Sequence, residues 1–164
     1  VILGIDPGLD GAFALLGEAL AVRQMPTVLR AVSGKPKPRR FIDRSACVEL
    51  LKGFRLLGAE TFVVERVMGV EGQSVHGAFM FGHGAGGITY AAEALGYRVE
   101  EVPPATWKTA LRVPSDKKLA VARADALLPA WVNLWTGGSL PARSGRAEAA
   151  LIALYGQQVF GSEA

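Results

Sequence analysis

The chain has 164 residues, 50% of them hydrophobic, which suffices for one domain with a real core and is too little for two ordinary ones. Its net charge of +3 and pI of about 9.2 are compatible with a nucleic-acid partner without requiring one. A single cysteine, Cys47, excludes an internal disulfide and any cysteine-based zinc site, and points to a reducing compartment. No apolar run approaches the length of a membrane span, and no basic leader precedes the first apolar stretch, so the expectation is a soluble intracellular domain with no membrane partner.

In chain order, "VILGID" and "GAFALLG" read as two strands joined by the turn residues of "PGLDG". "ALAVRQM" predicts a third, giving an antiparallel meander. "AVSGKPKPRRFIDR" interrupts the pattern with Pro36 and Pro38, which continue neither strand nor helix and predict an extended, exposed loop. From Asp43, a candidate N-cap, apolar residues at 46, 50, 51, 54 and 57 recur at helical spacing. "TFVVER" is apolar nearly throughout, as an interior strand should be. A glycine-punctuated helix over 73–95, the strand "YRVEEV", and helices in "PPATWKTAL", "SDKKLAVARADALLP" and "GRAEAALIALYGQQVF" complete the reading. The sum is α/β: a five-stranded mixed sheet, an antiparallel meander plus two parallel strands, flanked by helices. One domain over 1–164 is expected.

Asp6 ends the first strand and Glu65 the fourth. If these strands are parallel neighbours, both carboxylates emerge at one edge of the sheet, where sites gather in such folds. Glu148, read in the first turn of the last helix, could reach the same spot. Converging carboxylates repel one another unless a hard divalent cation sits among them. Two such cations stabilise the attacking and leaving oxygens of a phosphodiester displacement. Each acid alone reads equally well as an ordinary turn or surface residue.

"GIDPGLDGAFAL", "VVERV", the "P..WK" of "PPATWK", "SDKKLAVARADALLP" and "GRAEAALIALYG" together resemble the RuvC-type Holliday junction resolvases. The likeness spans nearly the whole chain in order, and is greatest to the branch of phages, bacteria and chloroplasts. It implies a ribonuclease-H-like fold, a homodimer, Mg²⁺ or Mn²⁺, and paired nicks across a four-way DNA junction in DNA recombination and repair. The implied location is the cytoplasm of a bacterial or phage-infected cell, or an organelle. Asp6, Glu65 and Glu148 match three of the family's four acids as metal ligands; the fourth falls at Ser144, where the sequence departs from the pattern. Ser144 reads either as a helix cap or as a neutral residue in a ligand's place.

Five of the ten residues from Lys35 to Arg44 are basic, with Lys35, Lys37, Arg39 and Arg40 foremost, and can neutralise phosphates. Lys108, Lys117 and Lys118 match basic positions the family uses along the DNA backbone, and Lys117 is the candidate for positioning the scissile phosphate. Ser115 reads as the N-cap beside that pair. Arg146, in the last motif, is assigned to DNA with them. Met68 lies where a relative inserts an apolar wedge at the junction centre; packing on the helix below is the alternative. Trp107 reads as core rather than as a stacking platform. His76 and His83 lack partners at zinc spacing and are expected on a helix surface or dimer contact. Cys47 reads as a small buried apolar side chain.

"GHGAGG", residues 82–87, fits a dinucleotide fingerprint only in letters, because helix rather than strand is predicted before it. Its glycines, with Phe79 and Phe81, predict close helix approach in a dimer. The leading expectation is therefore a structure-selective endonuclease. The alternative is a resolvase-like dimer that binds junctions without efficient cleavage, for which Ser144 is the sequence support. An actin-like ATPase shares the "GIDPG" turn but needs a second domain for which the chain has no room.

Overall fold

The computed structural model describes residues 1–69 and 72–161. Strands β1 (Ile2–Asp6), β2 (Ala12–Leu16) and β3 (Leu20–Gln24) form the expected antiparallel meander. The next segment is more ordered than its prolines suggested: β4 (Thr27–Arg30) and β5 (Arg39–Ile42) pair as a separate antiparallel hairpin, with Thr27 opposite Ile42 and Arg30 opposite Arg39. Pro36 and Pro38 fall in the connection between them, where no ladder hydrogen bond is needed.

Helix α1 (Arg44–Leu56) follows, capped as expected by Asp43, whose side chain accepts from the Ala46 N–H at 3.1 Å. Strand β6 (Thr61–Glu65), helix α2 (Val75–Ala94) and strand β7 (Arg98–Val102) come next. Both β1–β6 and β6–β7 are parallel, and the sheet order is β3-β2-β1-β6-β7. Helices α3 (Pro104–Leu111) and α4 (Lys117–Leu127), a 3₁₀ turn over Pro129–Leu134, and helix α5 (Leu140–Phe160) end the chain.

Alternation along the strands divides the core in two. Ile2, Ala14, Leu16 and Val63 face one side with Trp107, Val121, Trp135 and the buried stripe of α5. Leu3, Ile5, Phe13, Phe62 and Val64 face the other, under Leu51 and Phe54 of α1 and Ile88 and Ala92 of α2. Burial on both faces explains why β1, β2 and β6 read as apolar throughout.

Small residues seat α5 directly on the sheet. A Cβ on Gly4 would lie 2.3 Å from the Ala153 backbone nitrogen, and one on Gly156 would lie 2.7 Å from Val63 Cγ2. One on Gly145 would come within 2.0 Å of the Asp10 carbonyl oxygen. Helix α5 therefore packs along β1 at van der Waals contact, with Gly145 over the turn that follows the strand's carboxyl end.

Two helix starts differ from the expectation. Asp116, not Ser115, caps α4, accepting from the N–H groups of Lys118 at 2.9 Å and Leu119 at 3.0 Å. Helix α5 begins at Leu140 with Ser139 as its cap, because Pro141 suits the first turn and extends the helix upstream. Ser144 thus lies inside the helix, and Glu148 a further turn along rather than in the first.

Candidate functional site

Ile5 pairs in parallel register with Val64, so Asp6 and Glu65 leave adjacent strands at the same sheet edge. Asp6 opens the β1–β2 turn and accepts the Gly8 N–H on Oδ1 at 3.0 Å. Gly11 closes that turn against it; a Cβ there would lie 2.1 Å from the Asp6 carbonyl oxygen. Glu65 Oε2 accepts the Trp107 Nε1–H at 2.9 Å. Glu148 is held from two sides: Ser144 Oγ donates to Oε1 at 3.1 Å, and Lys108 Nζ stands 3.4 Å from Oε2. A cleft of about 230 Å³ is lined by Asp6, Gly8, Lys117, Pro141, Ser144 and Glu148.

The acids oppose one another. Burial pushes the Asp6 carboxyl up to about 7; the Gly8 N–H opposes this, the charges of Glu148 and Glu65 add to it, and Lys108 offsets part of it. Glu65 is also raised, first by burial, against the Trp107 N–H and Lys108. Folded Asp6 therefore binds its proton more tightly than the unfolded chain does, and stability falls as pH rises from about 4 through about 7. Asp6→Asn keeps an oxygen for the Gly8 N–H but loses the charge. In metal-free buffer it is expected to exceed the parent's stability at pH 8 by about 2–4 kcal/mol, the gap closing toward pH 4. Urea titrations with chelator at both pH values measure this, and equal stabilities at pH 8 would contradict it.

Three oxygen-only carboxylates are a donor set suited chemically to a hard divalent cation. Among the described residues, however, no three Asp, Glu, His or Cys side chains stand close enough to hold one ion as they lie. The hydrogen bonds account for this: Glu65 is turned to Trp107, and Glu148 to Lys108, whose ammonium supplies positive charge at the cluster.

No protein-family model matches this sequence, and no curated protein matches it either. Solved structures do. The RuvC of Thermus thermophilus in complex with a Holliday junction substrate superposes with a TM-score of 0.58 at 16% identity, over 97% of this chain and 96% of that one. A second Thermus thermophilus RuvC structure gives 0.56 at 16% identity, over 96% and 95%. The chain has a RuvC-like fold.

On this RuvC-like frame the other expected residues are spread out. Lys35 and Lys37 are exposed in the β4–β5 connection and Arg39 on β5; Arg40 is exposed too, with its Nη2 2.6 Å from Asp10 Oδ1 of the β1–β2 turn. Met68 is 57% exposed beyond β6. Lys117 and Lys118 are exposed at the start of α4. Arg146 behaves otherwise: its guanidinium is directed into the protein, onto Gln24 Oε1 and the Gly137 carbonyl, each at 2.6 Å.

His76 and His83 lie on the surface of α2, as expected, with His83 stacked on Phe79. Cys47 is buried, its thiol pushed up to about 12 by desolvation and the nearby Asp43 charge, which makes it a poor nucleophile. Residues 82–87 are helical throughout, which removes the dinucleotide reading. Sequence reasoning missed Gln24, Asp10 and the donor role of Trp107. Only Trp107 carried a signal: a buried indole needs a hydrogen-bond acceptor.

Proposed function

We propose that the chain is a RuvC-type, metal-dependent endonuclease that resolves four-way DNA junctions by paired phosphodiester hydrolysis. What supports this reading is that Asp6 and Glu65 leave adjacent parallel strands at one sheet edge, and that Glu148, 3.4 Å from Lys108, lines the same cleft as Asp6 in a RuvC-like fold. Mg²⁺ or Mn²⁺ would be held by Asp6, Glu65 and Glu148. When bound, such ions supply Lewis acidity and a nucleophile from water for in-line displacement at phosphorus.

The remaining assignments concern this chain's own groups. Trp107 orients Glu65, and Ser144 orients Glu148. Lys108 offsets the charge of the acids and would release Glu148 where that carboxylate held a cation. Lys117, on the cleft wall, positions the scissile phosphate. Lys118 and the hairpin residues Lys35, Lys37, Arg39 and Arg40 follow the DNA backbone, and Met68 offers an apolar wedge at the junction centre. The second reading, a protein that grips junctions but cuts poorly, is favoured by Ser144 in a fourth acid's place.

Cutting two strands symmetrically requires two such centres. A dimer through α2 is supported by its exposed apolar residues: Val75, Phe79 and Tyr90 are 87%, 66% and 72% exposed, and open space lies before Gly82. A homodimer mass by light scattering at micromolar concentration is expected; a monomer with and without junction DNA would contradict it.

The direct test uses labelled four-way junction and matched linear duplex, with Mg²⁺, Mn²⁺ or chelator, resolving cleavage and gel shift together. Junction-selective binding with metal-dependent nicks is expected, and equal affinity for duplex without nicking would reject both readings. In the same assay, neutralising Lys108 and Lys117 together should weaken binding and flatten its salt dependence, the slope falling by about 1 for the phosphate contact assigned to Lys117.

A further inference from the structure

Arg146 lies two residues before Glu148 and two after Ser144, yet its side chain does not enter the cleft between them. Nη1 donates to Gln24 Oε1 at 2.6 Å, and Nη2 to the Gly137 carbonyl at 2.6 Å, with longer bonds to the carbonyls of Trp135 and Thr136. Gln24, at the end of β3, uses its amide nitrogen on the turn that follows Asp6: Nε2 donates to the Asp10 carbonyl at 2.8 Å and the Gly11 carbonyl at 2.6 Å. Arginine can only donate, so the glutamine oxygen must face it and the NH₂ must face the turn. At this same turn Gly145 of α5 touches the Asp10 carbonyl and Gly11 touches the backbone of Asp6.

We propose that Gln24 and Arg146 are a positioning pair, holding the helix that carries Ser144 and Glu148 in register with the turn that starts at Asp6. The proposal rests on the nuclease reading above, since it assigns the pair to the upkeep of that acid cluster. A purely structural partner for Arg146 would be better served by an acid, because a charged acceptor bonds a guanidinium more strongly. A carboxylate, however, has no proton for the Asp10 and Gly11 carbonyls. Only an amide satisfies the arginine on one side and the turn on the other.

Gln24→Glu separates these two tasks. It keeps and strengthens the bond to Arg146 while removing both donors to the turn. The melting temperature is expected to fall by several °C, because a carboxylate oxygen then faces the Asp10 and Gly11 carbonyls, and the remaining readouts are compared at equal fraction folded. Hydrogen exchange of the peptide spanning residues 6–12 should quicken. Mn²⁺ affinity by calorimetry and kcat on junction DNA should fall together by about tenfold or more, the usual cost of losing a partner that orients metal ligands. Junction affinity in Ca²⁺ should stay within about twofold, which gives a kcat effect without a binding effect. If the glutamate variant does not fold, Gln24→Met, which loses the acceptor for Arg146 together with both donors, tests the pair as a whole by the same exchange and Mn²⁺ readouts. Parental exchange in the turn with parental Mn²⁺ affinity would overturn the proposal, as would losses that vanish at equal fraction folded. If the parent protein itself neither binds Mn²⁺ nor cuts, the nuclease reading is what fails, and exchange in the turn still decides whether Gln24 pins it.

Discussion

Asp6→Asn and Glu65→Gln should each lower metal-dependent junction cleavage by about a thousandfold, or roughly 4 kcal/mol of barrier, while junction binding is kept or tightened. The two effects have one cause. Each carboxylate is a candidate cation ligand, and each is also a negative charge facing the phosphates of a bound junction. Neutralising either removes a ligand and relieves repulsion that is only partly screened at a part-buried site. Burial is the main reason both carboxyls are held above their usual range, and the charge of Glu148 adds to it. Single-turnover cleavage in Mg²⁺ and gel shift in chelator separate the two consequences. Cleavage retained by both variants would show that the chemistry lies elsewhere.

Ser144→Asp is expected to raise Mg²⁺-dependent cleavage by at least about tenfold, equivalent to roughly 1.4 kcal/mol. The structure sharpens this expectation. Ser144 is 2% exposed and its hydroxyl donates to Glu148, so it is neither a helix cap nor a solvent-facing residue. Its hydroxyl is a neutral, weak ligand for Mg²⁺ beside a carboxylate. Aspartate would add a ligand one helical turn from Glu148 and a like charge beside it. The variant should therefore melt lower than the parent in chelator and recover in Mg²⁺, a reversal that a simple packing change does not produce. Slow cutting by the serine form, improved by Mn²⁺, belongs to the same account. If the serine form already cuts efficiently in Mg²⁺ and aspartate adds nothing, three acids suffice.

The sheet was legible because β1, β2 and β6 are buried on both faces and its turns carry glycine, proline and aspartate at the required places. That legibility extended to Asp6 and Glu65, since two parallel neighbours must deliver their terminal residues to one edge. The β4–β5 hairpin was not legible, because two prolines in a connection look the same as two prolines in a loop. The start of α5 was misplaced by a turn, since Pro141 signals a helix beginning only when Ser139 is recognised as its cap. Arg146 illustrates a deeper limit. Nothing local in "GRAEA" tells an arginine that grips phosphate from one that grips Gln24, a partner 122 residues away. Trp107 is intermediate: its burial was foreseen, but its bond to Glu65 depends on how α3 lies against the end of β6.

The central claim is that the three sheet-edge carboxylates form a cation centre for phosphodiester hydrolysis. It is tested most directly by anomalous diffraction from crystals grown in Mn²⁺ with junction DNA. The account predicts manganese peaks within coordination distance, about 2.0–2.3 Å, of carboxylate oxygens of Asp6, Glu65 and Glu148, with Lys108 drawn away from Glu148. Manganese bound elsewhere, or none at these acids with Lys108 still on Glu148, would contradict it.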